Sequence, residues 1–317
     1  MASSELGLKL RLVEVRYGAP GINLYRLAAC DGQPLPAIEP GAHIDLEVAP
    51  GFLRQYSLLW PQPRLDTYEI AVQEASEGRG GSRAWHRQSV TGEIYPGSEP
   101  RNLFALNAAT ATTSYLLAGG IGITPIISMY RKLVAEGRPV QLHYWTRSAE
   151  AALFHDELAA VSDGSVRLHH TSGPAPRLAD VLADIPNDAP LYCCGPTRMI
   201  DAFDDLTAQR PLHLVHRERF AAAPVEAGPA GSFSIHLARS GRTLEVGADE
   251  TVLSACLAAG IDLDYSCEEG ICGACEVRVL SGSVDHRDQV IAPAARATST
   301  VMMACCSRGL TTLDLDI

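Results

Sequence analysis

Five of the chain's nine cysteines, Cys267, Cys272, Cys275, Cys305 and Cys306, fall within its last 51 residues. Three of them form Cys267-Glu-Glu-Gly-Ile-Cys272-Gly-Ala-Cys275, a C-x4-C-x2-C run, and Cys305 follows after 29 intervening residues. That is the spacing of a plant-type [2Fe–2S] site. A compact loop must wrap three thiolates and their N–H groups around the cluster. Gly270, Gly273 and Ala274 let the main chain approach closely. Structural zinc, the rival, more often takes C-x2-C pairs or adds histidines, and the nearby His286 is not at a ligand-like spacing. Cys267, Cys272, Cys275 and Cys305 are therefore the expected metal ligands of a small terminal unit.

The other cysteines say less. Cys30 and Cys256 stand alone in apolar surroundings and are expected in the core. An odd cysteine count, with no cationic segment followed by an apolar one at the start, fits the reducing cytoplasm. The longest apolar stretch, Tyr115 to Met129, is broken by Gly119, Gly120, Gly122 and Pro125, so no membrane span is expected. With 26 basic against 37 acidic residues the net charge is −11. That balance argues against a nucleic-acid binder, which needs clustered cations.

Three zones follow one another along the 317 residues. Residues 1–106 carry short strands (Leu8–Val15, Asn23–Ala28, His43–Val48, Gln55–Trp60, Tyr68–Val72) punctuated by Asp31-Gly32, Pro40-Gly41, Pro50-Gly51 and Pro96-Gly97. Such spacing favours an antiparallel barrel or sandwich. In residues 107–220, apolar strands (Tyr115–Ala118, Val140–Trp145, Val166–His170, Leu191–Cys194) alternate with helical stretches (Thr124–Glu136, Ala151–Val161, Leu178–Ala183, Thr197–Gln209). Strand–helix alternation implies a parallel α/β sheet. Residues 221–231, small residues and proline, read as a linker. Residues 232–317 form the metal-bearing β-rich unit, with one helix near Val252–Ala259.

Within the second zone, Leu116-Leu-Ala-Gly119-Gly120-Ile-Gly122-Ile-Thr124-Pro125 is a strand, a glycine turn and a helix start. Thr124 is placed to cap that helix and Pro125 suits its first turn. Free N–H groups and the helix dipole would attract a pyrophosphate. Alone, such a turn can be purely structural. A second loop, Cys194-Gly195-Pro196, ends another strand of the same zone, and ligands of open parallel sheets bind at the carboxyl ends of strands. A nicotinamide gives up two electrons as a hydride, whereas a [2Fe–2S] cluster accepts one. A flavin converts between the two, so the first zone should hold one. Arg54-Gln-Tyr56-Ser57 and Gly78-Arg79-Gly80-Gly81-Ser82 offer a cation, an aromatic face, a hydroxyl and an anion nest. Each by itself also reads as an ordinary strand or glycine loop.

Taken together, Arg54-x-Tyr56-Ser57, Gly78–Ser82, Gly119–Pro125, Cys193-Cys-Gly-Pro196 and the terminal cysteines resemble the phthalate dioxygenase reductase family, which includes vanillate O-demethylase reductases. The resemblance runs over nearly the whole chain. It implies a Greek-key flavin-binding β-barrel, a ferredoxin-reductase-like α/β nucleotide domain and a C-terminal plant-type ferredoxin domain of β-grasp fold. It also implies FMN rather than FAD. By the same resemblance, Arg54, Tyr56 and Ser57 contact FMN, and Gly80, Gly81 and Ser82 hold its phosphate. Gly120, Gly122, Thr124, Pro125, Cys194, Gly195 and Pro196 line NADH, and Phe220 stands beside the isoalloxazine. Ser57 and Cys194 are the implied catalytic residues; no acid–base group is needed for hydride transfer, which is a matter of positioning.

The function expected is electron transfer from NADH through FMN to the cluster, and on to a terminal Rieske-type oxygenase. Rivals are service to a cytochrome P450 or another haem acceptor, and a non-enzymatic Fe–S redox sensor. A monomer is expected. Arg147 stands where a cation could welcome a 2′-phosphate, yet the resemblance favours NADH. Residues 232–317 carry twelve acids against six bases, a solvated face or a means of steering a partner. Cys305 is preferred over Cys306 because neighbours in an extended segment point to opposite faces, and because the family's last cysteine precedes an x-Ser-Arg stretch.

Overall fold

The computed structural model describes residues 6–50, 52–75, 80–107, 112–221 and 231–317. The expected linker lies outside them save for its two ends, as do Gly78 and Arg79. Two compact units divide the chain, residues 6–220 and the part from Ala221 onward.

The first unit opens with β1 (Leu8–Ala19), β2 (Ile22–Ala29), β3 (His43–Ala49), β4 (Phe52–Ser57), β5 (Thr67–Gln73), α1 (Gly81–Gln88) and β6 (Ile94–Gly97). The strands form one antiparallel sheet in the order β4-β3-β6-β1-β2-β5. A bridge between Leu58 and Ile70, beside a 2.9 Å bond from Leu59 N to Glu69 O, joins the end of β4 to β5 and closes the sheet into a barrel. Leu10, Leu12, Ile44, Leu46 and Ile70 fill it, with Trp85 of α1 as a fully buried plug against Tyr25 and Tyr95. Pro96-Gly97, expected as a turn, instead ends β6. Gly97 pairs with both Leu8 and Leu46, and a Cβ there would meet Leu10 Cδ1 at 2.9 Å.

Next come β7 (Ser114–Gly119), α2 (Ile123–Ala135), β8 (Val140–Thr146), α3 (His155–Ala159), β9 (Val166–His170), α4 (Leu178–Ala183), β10 (Leu191–Cys194), α5 (Thr197–Thr207) and β11 (Val215–Glu218). Their sheet is parallel throughout, ordered β11-β10-β7-β8-β9. The chain reverses direction of travel across the sheet between β7 and β10, which makes their carboxyl ends the switch point where such folds bind ligands. The helix expected over 151–161 shrinks to α3, because Phe154 adopts φ 62° and interrupts the helical path. Its ring there lies under the Arg131 guanidinium at 4.9 Å.

Barrel and parallel sheet share a core. Ala19, Ile22, Leu24, Leu59, Ala71 and Phe104 pack in one cluster with Ile126, Met129, Leu133 and Leu153. The fully buried Ser128 of α2 accepts a bond from Trp60 N at 2.9 Å, while Leu58 O and Thr124 O lie within 3.3 and 3.2 Å of its hydroxyl.

The second unit contains β12 (Phe233–Leu237), β13 (Arg242–Val246), α6 (Val252–Ala258), β14 (Glu276–Ser281), β15 (Val284–Asp285), β16 (Val301–Met303), β17 (Arg308–Gly309) and β18 (Leu313–Leu315). A mixed sheet, β13-β12-β18-β14-β16, packs on α6 through Ile235, Leu237, Val252, Cys256, Met302 and Leu313. Thr251 caps α6 reciprocally with Ser254. The cysteine loop runs from α6 to β14. Cys256 is in the core as expected, but Cys30 is only half-buried.

Ser128→Ala should destabilise the first unit by about 1–3 kcal/mol, since it leaves the Trp60 N–H without its partner. Urea unfolding followed by Trp fluorescence measures this; an unchanged midpoint would show that water satisfies the amide.

Candidate functional site

Three groups of residues carry chemistry. The first lies where β4 ends and α1 begins. Gly80 takes φ 87° and precedes the helix, whose first turn holds no acid. The Arg54 side chain lies across this start so closely that a Cβ on Gly81 would sit 2.5 Å from its Nε. Arg54 Nη1 donates to Leu53 O at 2.7 Å, and the guanidinium stands 5.4 Å from the Phe52 ring centre. Ser82 Oγ accepts Ala75 N at 3.0 Å, leaving its proton to donate. Tyr56 Oη is buried without a hydrogen-bond partner among the described residues. Burial pushes its phenol well above the usual range, against the pull of Arg54. Ser57, also buried, ends β4. A guanidinium, helix N–H groups and an orphaned phenol together fit a phosphorylated ligand with polar atoms, as FMN is.

The second group is at the switch point. The turn after β7 and the loop after β10 touch through glycines: a Cβ on Gly122 would lie 2.3 Å from Cys194 O, and one on Gly195 would lie 3.2 Å from Gly119 Cα. Gly120, at φ 54°, faces open space, and Tyr144 Oη donates to its carbonyl at 3.1 Å. The expectation that Thr124 caps α2 is corrected. Gly120–Gly122 form a 3-10 turn, the helix starts at Ile123, and the Thr124 hydroxyl donates backward to Ile121 O at 3.1 Å. Pro125 does sit in the first turn, as expected.

Cys194 is fully buried, and burial first, then the Glu218 carboxyl, pushes its thiol up. Glu218 pairs with Cys194 across β10 and β11. Its Oε2 is buried with no partner among the described residues, and burial raises its carboxyl to about 8. Phe220 follows two residues later and is 41% exposed. Glu218 escaped the sequence reading, because nothing in His216-Arg-Glu-Arg-Phe220 reveals that a strand places it beside Cys194.

The third group is the cysteine loop. Gly270 and Gly273 take φ 71° and 69°. Glu269 N donates to Cys267 Sγ at 3.3 Å and Ala274 N to Cys272 Sγ at 3.5 Å. The four thiols influence one another in sequence, Cys272 with Cys267, Cys267 with Cys305 and Cys305 with Cys275. Thiol donors pull Cys267 and Cys275 below the usual thiol range, while Cys272 and Cys305, the proton-giving partners in those bonds, are held above it, with burial adding to the rise. Among the described residues no three or more His, Cys, Asp or Glu side chains converge on a point that a single metal ion could occupy. Four neighbouring thiols in one small unit, two of them accepting main-chain N–H groups, suit a two-iron cluster. The extended segment expected at Cys305-Cys306 is a turn instead, formed as Cys306 N and Ser307 N bond to Met303 O at 3.3 and 3.0 Å. In that turn Cys306 Sγ lies 3.9 Å from Met303 O and 4.0 Å from Ser307 Oγ.

Comparison with known proteins bears on all three groups. Residues 235–309 match the family model of the 2Fe-2S iron-sulfur cluster binding domain. The chain is 40% identical to the phenoxybenzoate dioxygenase subunit beta of Ectopseudomonas oleovorans, covering 99% of both. It superposes on a solved phthalate dioxygenase reductase, described as a modular structure for electron transfer from pyridine nucleotides to [2Fe-2S], with TM-score 0.69, 36% identity and 98% of both chains covered. An intact type IV self-sufficient cytochrome P450 monooxygenase gives TM-score 0.88 and 38% identity; 98% of this chain matches only 41% of that one.

Glu218 also sets a pH dependence. A folded carboxyl raised from 4.5 to about 8 stabilises the fold fully below pH 4.5 and progressively less as pH rises toward 8. Stability of the first unit should fall across that window with a slope approaching about 1.4 kcal/mol per pH unit. Glu218→Gln should flatten the slope in urea melts at pH 5 to 8; an unchanged slope would place the titration elsewhere.

Proposed function

Because this chain belongs to the phthalate dioxygenase reductase family, we propose that it is an oxidoreductase moving electrons from NADH through FMN to a [2Fe–2S] cluster and on to a terminal oxygenase of Rieske type. The observation that carries the reading is the set of four neighbouring cysteines with amide donors at Cys267 and Cys272, in a chain that also has two glycine-paired loops at the ends of parallel strands. Bound flavin supplies the conversion of a hydride into single electrons.

In this reading residues 1–106 are the flavin barrel, 107–220 the nucleotide domain, 221–231 a linker and 232–317 the ferredoxin domain. Arg54, Gly80, Gly81 and Ser82 hold the FMN phosphate, and the orphaned Tyr56 hydroxyl finds its partner on the flavin. Ser57 presents its hydroxyl near the reacting ring. Gly120, Gly122, Thr124, Pro125, Gly195 and Pro196 line the dinucleotide, whose pyrophosphate meets the positive end of α2. Cys194, neutral in its buried place, keeps charge away from the nicotinamide, and Phe220 covers the flavin. Cys267, Cys272, Cys275 and Cys305 hold the irons. The nine cysteines form no disulfide, which fits the reducing cytoplasm, and the chain acts as a monomer in this reading. A haem acceptor is the second reading, supported by the match to part of a self-sufficient P450.

Purified chain should contain one FMN and two irons, read by acid extraction and iron assay. FAD, or zinc in place of iron, would overturn the reading. Ser57→Ala should slow stopped-flow flavin reduction by about tenfold or more with iron content unchanged. Reconstitution with a Rieske oxygenase and with a P450 separates the acceptors. The exposed Arg147 makes the cofactor test sharp: kcat/KM should favour NADH, and a preference for NADPH would show that the cation decides.

A further inference from the structure

A pair of opposite charges lies against the ligand loop, outside the four cysteines. Gly270, between Cys267 and Cys272, is where the loop meets it. A Cβ on Gly270 would lie 3.2 Å from Asp288 Cα, and Gln289 N donates to Gly270 O at 2.8 Å. The main chain at Asp288-Gln289 thus touches the loop at a position that carries no side chain.

Asp288 is fully buried. Its Oδ1 accepts Val290 N at 3.1 Å and Ile291 N at 2.8 Å, and its Oδ2 accepts the Ser307 hydroxyl at 3.2 Å. Ser307 is itself fully buried, stands two residues past Cys305, and accepts Arg287 N at 3.2 Å. Asp288 therefore joins both cysteine segments: its backbone meets the first and its carboxylate the second.

Other charged and titratable groups surround it. Arg296, in the 3-10 turn Pro293–Thr298, donates from Nη2 to Asp288 O, and its Nε is buried with no partner among the described residues. His286 Nδ1 stands 3.4 Å from Asp288 Oδ2. The Arg287 guanidinium is matched by the Asp285 carboxylate, 2.7 Å from its Nε. A fixed charge near a cluster acts on its reduction, because an anion repels the added electron and a cation attracts it. Buried charges are screened least.

We propose that Asp288 and Arg296 set the reduction potential of the cluster from outside the ligand set, the Asp288 carboxylate lowering it and the Arg296 guanidinium, one hydrogen bond further out, raising it. The inference rests on the reading of Cys267, Cys272, Cys275 and Cys305 as the iron ligands.

The test is an EPR-monitored redox titration of the full chain and of Asp288→Asn and Arg296→Gln, at one pH, with iron content measured on each. Asparagine keeps an acceptor for the Val290 and Ile291 amides and loses the charge. It should make the cluster about fivefold more reduced at a fixed potential, or about 41 mV higher in midpoint at 59 mV per tenfold. Arg296→Gln should make it about twofold less reduced, or about 18 mV lower. Both variants weaken the same support, so loosening of the loop would move both midpoints one way; charge moves them apart. Shifts of the same sign, or an unmoved midpoint in Asp288→Asn with full iron content, overturn the inference. Should one variant lose iron, the other decides, and a midpoint that does not move in its stated direction overturns it. Loss of iron in both overturns it as well, since holding the loop then accounts for both residues. A parent chain without a two-iron cluster overturns the ligand reading, and the inference falls with it.

Discussion

The first unit depends on one shared core, in which α2 packs against both the parallel sheet and the barrel. Ser128 shows how tight the join is. A single buried hydroxyl on α2 takes the N–H of Trp60, three residues beyond Ser57. Through it the strand that ends in Arg54-Gln-Tyr-Ser is fixed to the helix that begins at the glycine turn. Hydride transfer requires reacting atoms held within a few tenths of an ångström of their productive separation. A barrel tethered only by a flexible segment could not supply that precision; a common apolar core with its own buried hydrogen bonds can.

The same logic governs the switch point. Gly119, Gly122 and Gly195 bring two strand-end loops into backbone contact, and side chains there would force them apart. The pocket is therefore built by removing side chains. What remains there is the open space above Gly120, with Cys194 and Glu218, both raised by burial, paired behind the loop.

Much of this could be read from residue order, and the failures have identifiable causes. Val166–His170, Leu178–Ala183 and Leu191–Cys194 were legible to the residue, because a buried strand or a short amphipathic helix leaves a clear apolar pattern. α1 was not, since Gly-Ser-Arg-Ala-Trp-His-Arg-Gln buries only Gly81 and Trp85 and shows no apolar period. Phe154 at φ 62° could not be anticipated, as that conformation is rare outside glycine and asparagine. Glu218 needed the register of β11, which only the folded sheet supplies. The turn at Cys305-Cys306 was hidden for a related reason: a hydrogen-bonding carbonyl, Met303 O, and not the local residue types, bends the chain there.

Cysteine shows how far environment outweighs residue type. Cys193 and Cys194 are fully buried in a parallel sheet, and desolvation drives both thiols up until they are inert and neutral. Cys267 and Cys275 are also largely buried, yet donors from Cys272, Cys305 and the amides of Glu269 and Ile271 pull their thiols down. Both environments exclude water; only one provides protons to share. A thiolate must exist before iron can bind it. The loop therefore needs its left-handed glycines less for compactness than for direction, because they turn N–H groups toward sulfur. Acids exposed along this stretch, Asp262, Asp264, Glu268 and Glu276, add no donors and raise the local negative field. The amide protons around the ligands must work against that field, so each one removed should shift the cluster toward its oxidised state.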